Sequence, residues 1–353
     1  MSGSIAICVA EDRVPDEEPT RLCVASACQS NPDCVIVAFL PNASRSLQSW
    51  LAKQPRVELR AKLMEGEYGW NVKPHALLSV IESGFECAWW FDSDVIVRRS
   101  VTAQYGKWDT GMFLATEEAL SGGYYDRGLR ARGWGLEPVR DFGHALNSGV
   151  LRASREHMPL LLGWCELLQS PEYRTAQLLE FARRPLHLAG DQDLLTALLC
   201  SEKYAHIRVR ILRRGSDIVQ YYGGCCYTVR ERFGNFVYGG PTFVHSQGFK
   251  PWRSADVRGT GALKRCYRQL LSDTSIYLME ARRLQQAVEL ELPWTGARTA
   301  SGRLLRSLGF GSSALTGLPL AFVGDAARFV RWASGAVSMV VQKCRAVARR
   351  AVA

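Results

Sequence analysis

As far as Trp252, short apolar runs alternate with stretches of helical periodicity. Ile5–Val9 and Cys34–Leu40 are apolar at every position, the pattern of strands covered on both faces. Ala88–Phe91, Gly111–Ala115, Gly149–Leu151, Ile207–Leu212 and Thr242–Val244 are further strand candidates. Between them Pro19–Gln29, Pro74–Glu82, Glu156–Gln169, Thr175–Arg183 and Asp193–Cys200 read as helices, with Pro74 suited to a first turn. This alternation predicts an α/β fold whose mostly parallel sheet is flanked by helices. Beyond Trp252 the strand signal stops. Arg258–Leu290 predicts helix, and the Gly/Ser-rich stretch Pro293–Thr316 predicts loop. A sheet domain is therefore expected over 1–255 and a helical extension over 256–353.

Charge sharpens that division. The formal net charge is +10, yet Gly296–Ala353 holds nine Lys/Arg against the single acid Asp325, leaving 35 basic and 33 acidic residues upstream. A nearly neutral body with a basic tail argues against a nucleic-acid-binding domain, whose positive charge should lie along the folded surface. On a helical wheel of Asp325–Arg350, Arg328, Arg331, Arg345, Arg349 and Arg350 share one arc, and Phe329, Val337, Val340 and Val347 share the other. Such a basic amphipathic helix suits peripheral contact with a membrane surface, or packing of its apolar side on the domain. The eleven cysteines show no disulfide or zinc spacing, and Cys8, Cys34 and Cys87 fall in expected strands as small hydrophobes. With no cationic, apolar leader at Met1–Ser4, a reducing, cytoplasmic location is expected.

The chemistry starts at Phe91–Val95, where Asp92 and Asp94 close an apolar strand with Ser93 between them. In an extended segment residues i and i+2 face one side, so both carboxylates can share a cation. Oxygen ligands of this kind suit Mn2+ or Mg2+. Other segments with chemical potential are Lys73 just before a helix, Asn147-Ser148-Gly149-Val150 at a strand start, and Gly190-Asp191-Gln192-Asp193 opening a helix. His245-Ser246-Gln247-Gly248-Phe249-Lys250 ends the last expected strand. Singly, each has a plain reading: Asp191 as a helix cap, Lys73 and Lys250 as surface charge, Asn147 and Gly248 as turn formers.

In this order, however, the segments resemble the GT-A (Rossmann-like) nucleotide-sugar glycosyltransferases over roughly residues 5–252. The likeness is strongest to family 8, which includes bacterial lipopolysaccharide galactosyl- and glucosyltransferases and glycogenin. The resemblance implies that Asp92, Asp94 and His245 hold Mn2+ (or Mg2+) on a nucleoside diphosphate, with Gly248 and Lys250 at the diphosphate. It further implies that Lys73 and Ser93 serve the donor, that Asn147 and Gly149 contact its sugar, and that Asp191 and Gln192 lie beneath the anomeric carbon. Ala10, Glu11 and Asp12 stand where the family reads the base. Two departures stand out. The His-to-Lys spacing is one residue shorter than the family's, and the acid expected after the next strand is either Glu117 or Glu118. Leu120–His144 has no counterpart.

The implied reaction is transfer of a hexose from a UDP-sugar, with retention, to a glycan or lipid-linked acceptor of lipopolysaccharide or capsule type. Short-lived oxocarbenium and covalent routes both remain open. A nucleotidyltransferase that makes the nucleotide sugar is the enzymatic rival, but the acidic, glycine-free turn Glu11-Asp12 lacks that class's Gly-rich basic loop. A degenerate scaffold working only as a membrane-surface binder is the non-enzymatic one.

Overall fold

The computed structural model describes residues 5–60, 69–118, 128–221, 227–253, 261–288, 290–296 and 299–330. The strands are β1 (Ile5–Ala10), β2 (Val35–Phe39), β3 (Val57–Arg60), β4 (Cys87–Asp92), β5 (Val95–Val97), β6 (Met112–Glu117), β7 (Leu146–Ser154), β8 (Arg208–Leu212), β9 (Ile218–Gln220) and β10 (Phe243–His245). The helices are α1 (Glu17–Ser30), α2 (Arg45–Leu51), α3 (Val72–Glu82), α4 (Val101–Tyr105), α5 (Leu129–Gly133), α6 (Met158–Gln169), α7 (Pro171–Gln177), α8 (Asp191–Cys200), α9 (Val229–Tyr238), α10 (Ala262–Asp273), α11 (Ile276–Val288) and α12 (Ala300–Leu308). A further helix covers 318–330.

Among the described residues seven strands build the main sheet, in the order β3-β2-β1-β4-β7-β6-β8. Every neighbouring pair is parallel except those made by β7, which runs against β4 and β6. The expected mostly parallel α/β sheet flanked by helices is thus present. Its central strands are apolar throughout because both faces are covered. Alternate residues Ala6, Cys8 and Ala10 of β1 pack with α3, α6 and α8. Ile7 and Val9 point the other way, into a core shared with Cys23, Val24 and Ala27 of α1.

The three strands that hydrophobic pattern did not predict are short or polar. β3 (VELR) is a half-exposed edge strand. β5 and β9 have three residues each and flank β10 in a separate sheet, β5-β10-β9. Helix α2 was likewise unforeseen. Its start is set by Ser44, whose Oγ accepts from Leu47 N at 3.2 Å and donates to Glu17 at 2.7 Å.

Three helical expectations need correction. Thr175–Arg183 is not one helix: α7 ends at Gln177, and Phe181–Arg183 is only a 3-10 turn. The Arg184 guanidinium donates to the carbonyls of Gln177 and Leu179 (3.2 and 3.1 Å), where further helical turns would have engaged them. Of the helix expected over 258–290, residues 258–260 and 289 lie outside the described residues, and the rest breaks between α10 and α11 at Thr274-Ser275, where Ser275 caps the second helix through Leu278 N at 3.1 Å. Within the expected loop Pro293–Thr316, α12 forms because Thr299 caps it through Gly302 N (2.9 Å) while its own N–H reaches buried Asp273 at 2.8 Å. Ile276, Tyr277 and Trp294 share a core with Leu22 of α1, Ile96 of β5 and Val244 of β10, so α11 and the turn at Pro293–Thr295 pack directly on the strand-bearing part of the chain. The basic tail helix enters the described residues only as far as 330. Among those residues no helix is long and apolar enough to cross a membrane, and Cys8, Cys34 and Cys87 are buried free thiols.

His157, behind β7, is a buried imidazole whose Nδ1 accepts from Ser154 N at 2.9 Å. Burial, reinforced by Arg152, lowers its pKa from 6.5 to about 4. Between these values the unfolded chain takes up a proton that the native state refuses, so stability is lost as pH falls through this window. The difference corresponds to roughly 3 kcal/mol. Urea midpoints at pH 7 and pH 4.5 are expected to show a steeper acid loss for the wild type than for His157→Gln.

Candidate active site

The C-terminal ends of β1 and β4 open into a cleft of about 700 Å³, the edge of a parallel sheet at which ligand sites form. Parallel register sets Ala10 beside Asp92. The chain then turns at Ser93-Asp94 and enters β5, so the two carboxylates converge through a turn rather than along a continuous strand. β10 pairs antiparallel with β5 and sets His245 opposite Val95, the residue after Asp94. Ser246 N donates to Asp94 O at 3.1 Å and closes the junction. The small sheet is what delivers the imidazole to the acidic pair.

His245 Nε2 lies 3.3 Å from Asp94 Oδ1 and 3.6 Å from Asp92 Oδ2. Donor atoms of the three side chains fall within 4.8 Å of one another. Two carboxylates and one imidazole are a hard, oxygen-rich set fitted to Mn2+ or Mg2+. Among the described residues the buried Nδ1 of His245 has no hydrogen-bond partner, so on that side the ring is placed by packing. Gly149 explains how: a Cβ there would lie 2.5 Å from His245 Cε1 and 2.8 Å from Nδ1. Gly149, expected at the donor sugar, is not among the residues lining the cleft, and it lets the imidazole approach β7.

Lys250 forms an ion pair with Asp94, so the shortened spacing keeps its ammonium at the acidic pair. Burial alone would raise the Asp94 carboxyl, but Lys250 and His245 hold it well below the usual carboxylate range. Gly248 does not line the cleft, and its N–H is used by Tyr221 O at 3.2 Å.

Lys73, from α3, is buried beneath the floor. Its ammonium donates to Ser148 Oγ at 2.7 Å and lies 3.2 Å from both Asp92 Oδ1 and Asp191 Oδ2. All three of its N–H bonds are thereby used, and these two carboxylates hold its pKa up against the opposing effect of burial. Ser148 Oγ in turn donates to Asp191 Oδ2 at 2.6 Å. Lys73 therefore ties the acidic pair to the start of α8. Trp90 Nε1 also donates to Asp92 Oδ1, at 2.8 Å.

Between Glu117 and Glu118, the structure brings Glu118 into the site. Its carboxylate accepts from Asn147 Nδ2 (3.0 Å) and Gln192 Nε2 (2.8 Å), and Asn147 Nδ2 also reaches Gln192 Oε1 at 3.1 Å. Glu117 turns away toward Arg214 N at 3.3 Å. At the opposite end Ser93 Oγ donates to Glu11 at 2.5 Å, and Arg13 grips the same carboxylate with two bonds of 2.7 and 2.8 Å. Asp12 accepts from Gly69 N at 2.9 Å.

Of the residues expected from sequence, Ala10, Asp12, Lys73, Asp92, Ser93, Asp94, Asn147, Asp191, Gln192, His245 and Lys250 all line this cleft. Sequence reasoning missed Arg130 of α5, which lies in the stretch that had no counterpart. Its Nε is 2.7 Å from Asp193 Oδ1, and both side chains are buried. Burial raises the Asp193 carboxyl to about 6, with Arg130 opposing the shift and Asp191 and Glu118 adding to it.

Among solved structures, the chain is similar to the bifunctional glycosyltransferase WbbM in its apo form, with 11% identity and a TM-score of 0.49 over 71% of this chain and 47% of that one. It is also similar to apo GlyE, a glycosyltransferase of Streptococcus pneumoniae TIGR4, with 14% identity and a TM-score of 0.46 over 81% of this chain and 63% of that one. A third is the galactosyltransferase LgtC in complex with donor and acceptor sugar analogs, with 15% identity and a TM-score of 0.42 over 74% of this chain and 94% of that one. The chain spans about half the length of WbbM. No protein-family model and no curated protein sequence matches it. With each TM-score below 0.5, what the chain does has to be read from its own site.

Two outcomes test this geometry. Gly149→Ala pushes a methyl group into His245, and Mn2+ affinity by calorimetry is expected to fall about 10–100-fold with the circular dichroism unchanged. Arg130→Met strands a buried carboxylate and is expected to cost about 3–5 kcal/mol in urea denaturation. Adding Asp193→Leu should recover most of that loss.

Proposed function

We propose that the protein is a metal-dependent glycosyltransferase that moves a hexose from a nucleoside-diphosphate sugar, with UDP as the expected carrier, to a glycan or lipid-linked acceptor. The carrying observation is that one cleft joins the Asp92/Asp94/His245 cation set to Asp191 and Gln192 through the buried ammonium of Lys73. Diphosphate departure needs positive charge where negative charge develops, and acids already in place must be neutralised first.

Asp92, Asp94 and His245 would hold the cation, which when bound supplies Lewis-acid stabilisation of the leaving diphosphate. Lys250, paired with Asp94, adds an ammonium on the same side. Lys73 acts from below, holding Asp92 and Asp191 at a fixed separation rather than reaching for the phosphates. Asp191 is oriented by Lys73 and Ser148, and Gln192 is clamped by Glu118 and Asn147. These pinned groups present oxygen and amide dipoles to the anomeric carbon without reorganising during reaction. In the transfer the bond from C1 to the diphosphate oxygen breaks and a bond from C1 to an acceptor hydroxyl oxygen forms. The hydroxyl proton passes to the departing diphosphate. Retention, as the family resemblance implies, fits a short-lived cation shielded on one face by Asp191 and Gln192. The basic stretch 296–353 is the segment through which a cytoplasmic enzyme would meet an anionic membrane bearing a lipid-linked acceptor.

The test is a screen of UDP- and other nucleotide-sugars with and without Mn2+. Mn2+-dependent release of UDP from one hexose donor is expected, together with a rise in melting temperature with Mn2+ plus UDP. Asp94→Ala is expected to reduce release at least 100-fold while the circular dichroism is retained. Undiminished release by a folded Asp94→Ala protein would overturn the assignment.

A further inference from the structure

The segment between α7 and α8 enters the same cleft and belongs neither to the cation set nor to the donor residues. It carries Phe181, an aromatic side chain that lines the cleft with Asp191 and Gln192 yet remains 63% exposed. An exposed aromatic is unremarkable on a free loop, but this loop is pinned. Arg184 donates to Leu179 O, Gln177 O and Ala189 O at 3.1, 3.2 and 3.0 Å. Gln177 Nε2 reaches Leu188 O at 2.8 Å, and Trp134 Nε1 reaches His187 O at 3.1 Å. The guanidinium also lies over the Phe181 ring, 5.7 Å from its centroid. One side chain thus backs the aromatic ring and holds the carbonyl two residues before Asp191.

We propose that Phe181, backed by Arg184, is the platform on which the acceptor sugar ring stacks, and this rests on the glycosyl-transfer reading above. The chemistry of the cleft selects that ligand. Asp92, Asp94, His245 and Lys250, from the ends of β4 and β10, serve the leaving diphosphate, whereas Phe181 comes from the chain leading into Asp191. A pyranose offers a flat C–H face to an aromatic ring and hydroxyls to the surrounding carboxylates and amides. An alkyl chain would displace water from those carboxylates and amides and offer no hydrogen bond in exchange. Arg184 is a positioning residue here: it sets the height of the platform relative to Asp191.

The experiment uses the full chain, the donor identified by the nucleotide-sugar screen, and methyl β-galactopyranoside, methyl β-glucopyranoside and lactose as acceptor probes. Acceptor-stimulated UDP release is expected from at least one of them. For that acceptor Phe181→Ala and Phe181→Leu are each expected to raise KM about tenfold, the worth of one aromatic stack. Phe181→Tyr is expected to stay within about twofold of wild type, and donor KM to move by less than about twofold throughout. An unchanged acceptor KM in Phe181→Ala, full function in Phe181→Leu, or a rise in donor KM instead would overturn the platform. A wild-type protein that hydrolyses a UDP-sugar but responds to none of the glycosides also overturns it, leaving the transferase reading intact. Failure to release UDP from any nucleotide sugar would remove the transferase reading itself.

Discussion

Among the described residues seven carboxylates, those of Glu11, Asp12, Asp92, Asp94, Glu118, Asp191 and Asp193, line a single cleft, and balancing their mutual repulsion governs the site. The chain meets this by giving most of them a dedicated partner. Arg13 takes Glu11, Lys250 takes Asp94 and Arg130 takes Asp193. Lys73 serves Asp92 and Asp191 together, and the backbone N–H of Gly69 serves Asp12. Glu118 is met by amides of Asn147 and Gln192. Once those partners are in place, acidic groups can stand close together on a sheet edge and still be rigid.

Rigidity has a structural source apart from charge. The sheet β5-β10-β9 is only three residues deep, yet its register sets His245 opposite Val95 and therefore beside Asp94. Gly149 of β7 leaves room for the ring, and aromatic side chains Trp89, Phe91 and Phe243 pack beneath the junction. The extension reinforces the same corner from outside. Trp252 packs at a tilt against Tyr277 and Trp294, with centroids 5.7 and 5.9 Å away, while its Nε1 and the Arg253 side chain hold Asp16. Sequence distant from the chemistry thus packs behind Arg253, which lines the cleft.

What could be read from the chain alone was whatever periodicity and order record. Strands buried on both faces are apolar at every position, so β1, β2 and β4 were legible, as was the helix-strand alternation that makes the sheet parallel. The acidic pair, the late histidine and the Asp191-Gln192 segment were legible because their order along the chain is itself a pattern. Partnership across the fold leaves no such trace. Three-residue strands carry too few positions to show a period, so β5 and β9 went unseen, and with them the reason His245 meets Asp94. Lys73 could be singled out by its place in the motif order, but nothing local to Val72–Glu82 tells that its three N–H bonds are shared among Ser148, Asp92 and Asp191. Glu117 and Glu118 are neighbours of the same type, and only the direction of β6 at its end decides which one faces the cleft. Hydrophobic alternation and motif order therefore determined the fold class and the residues with chemical potential. Tertiary structure alone decided which of them touch, because charge pairing and close approach depend on distances between segments far apart in sequence.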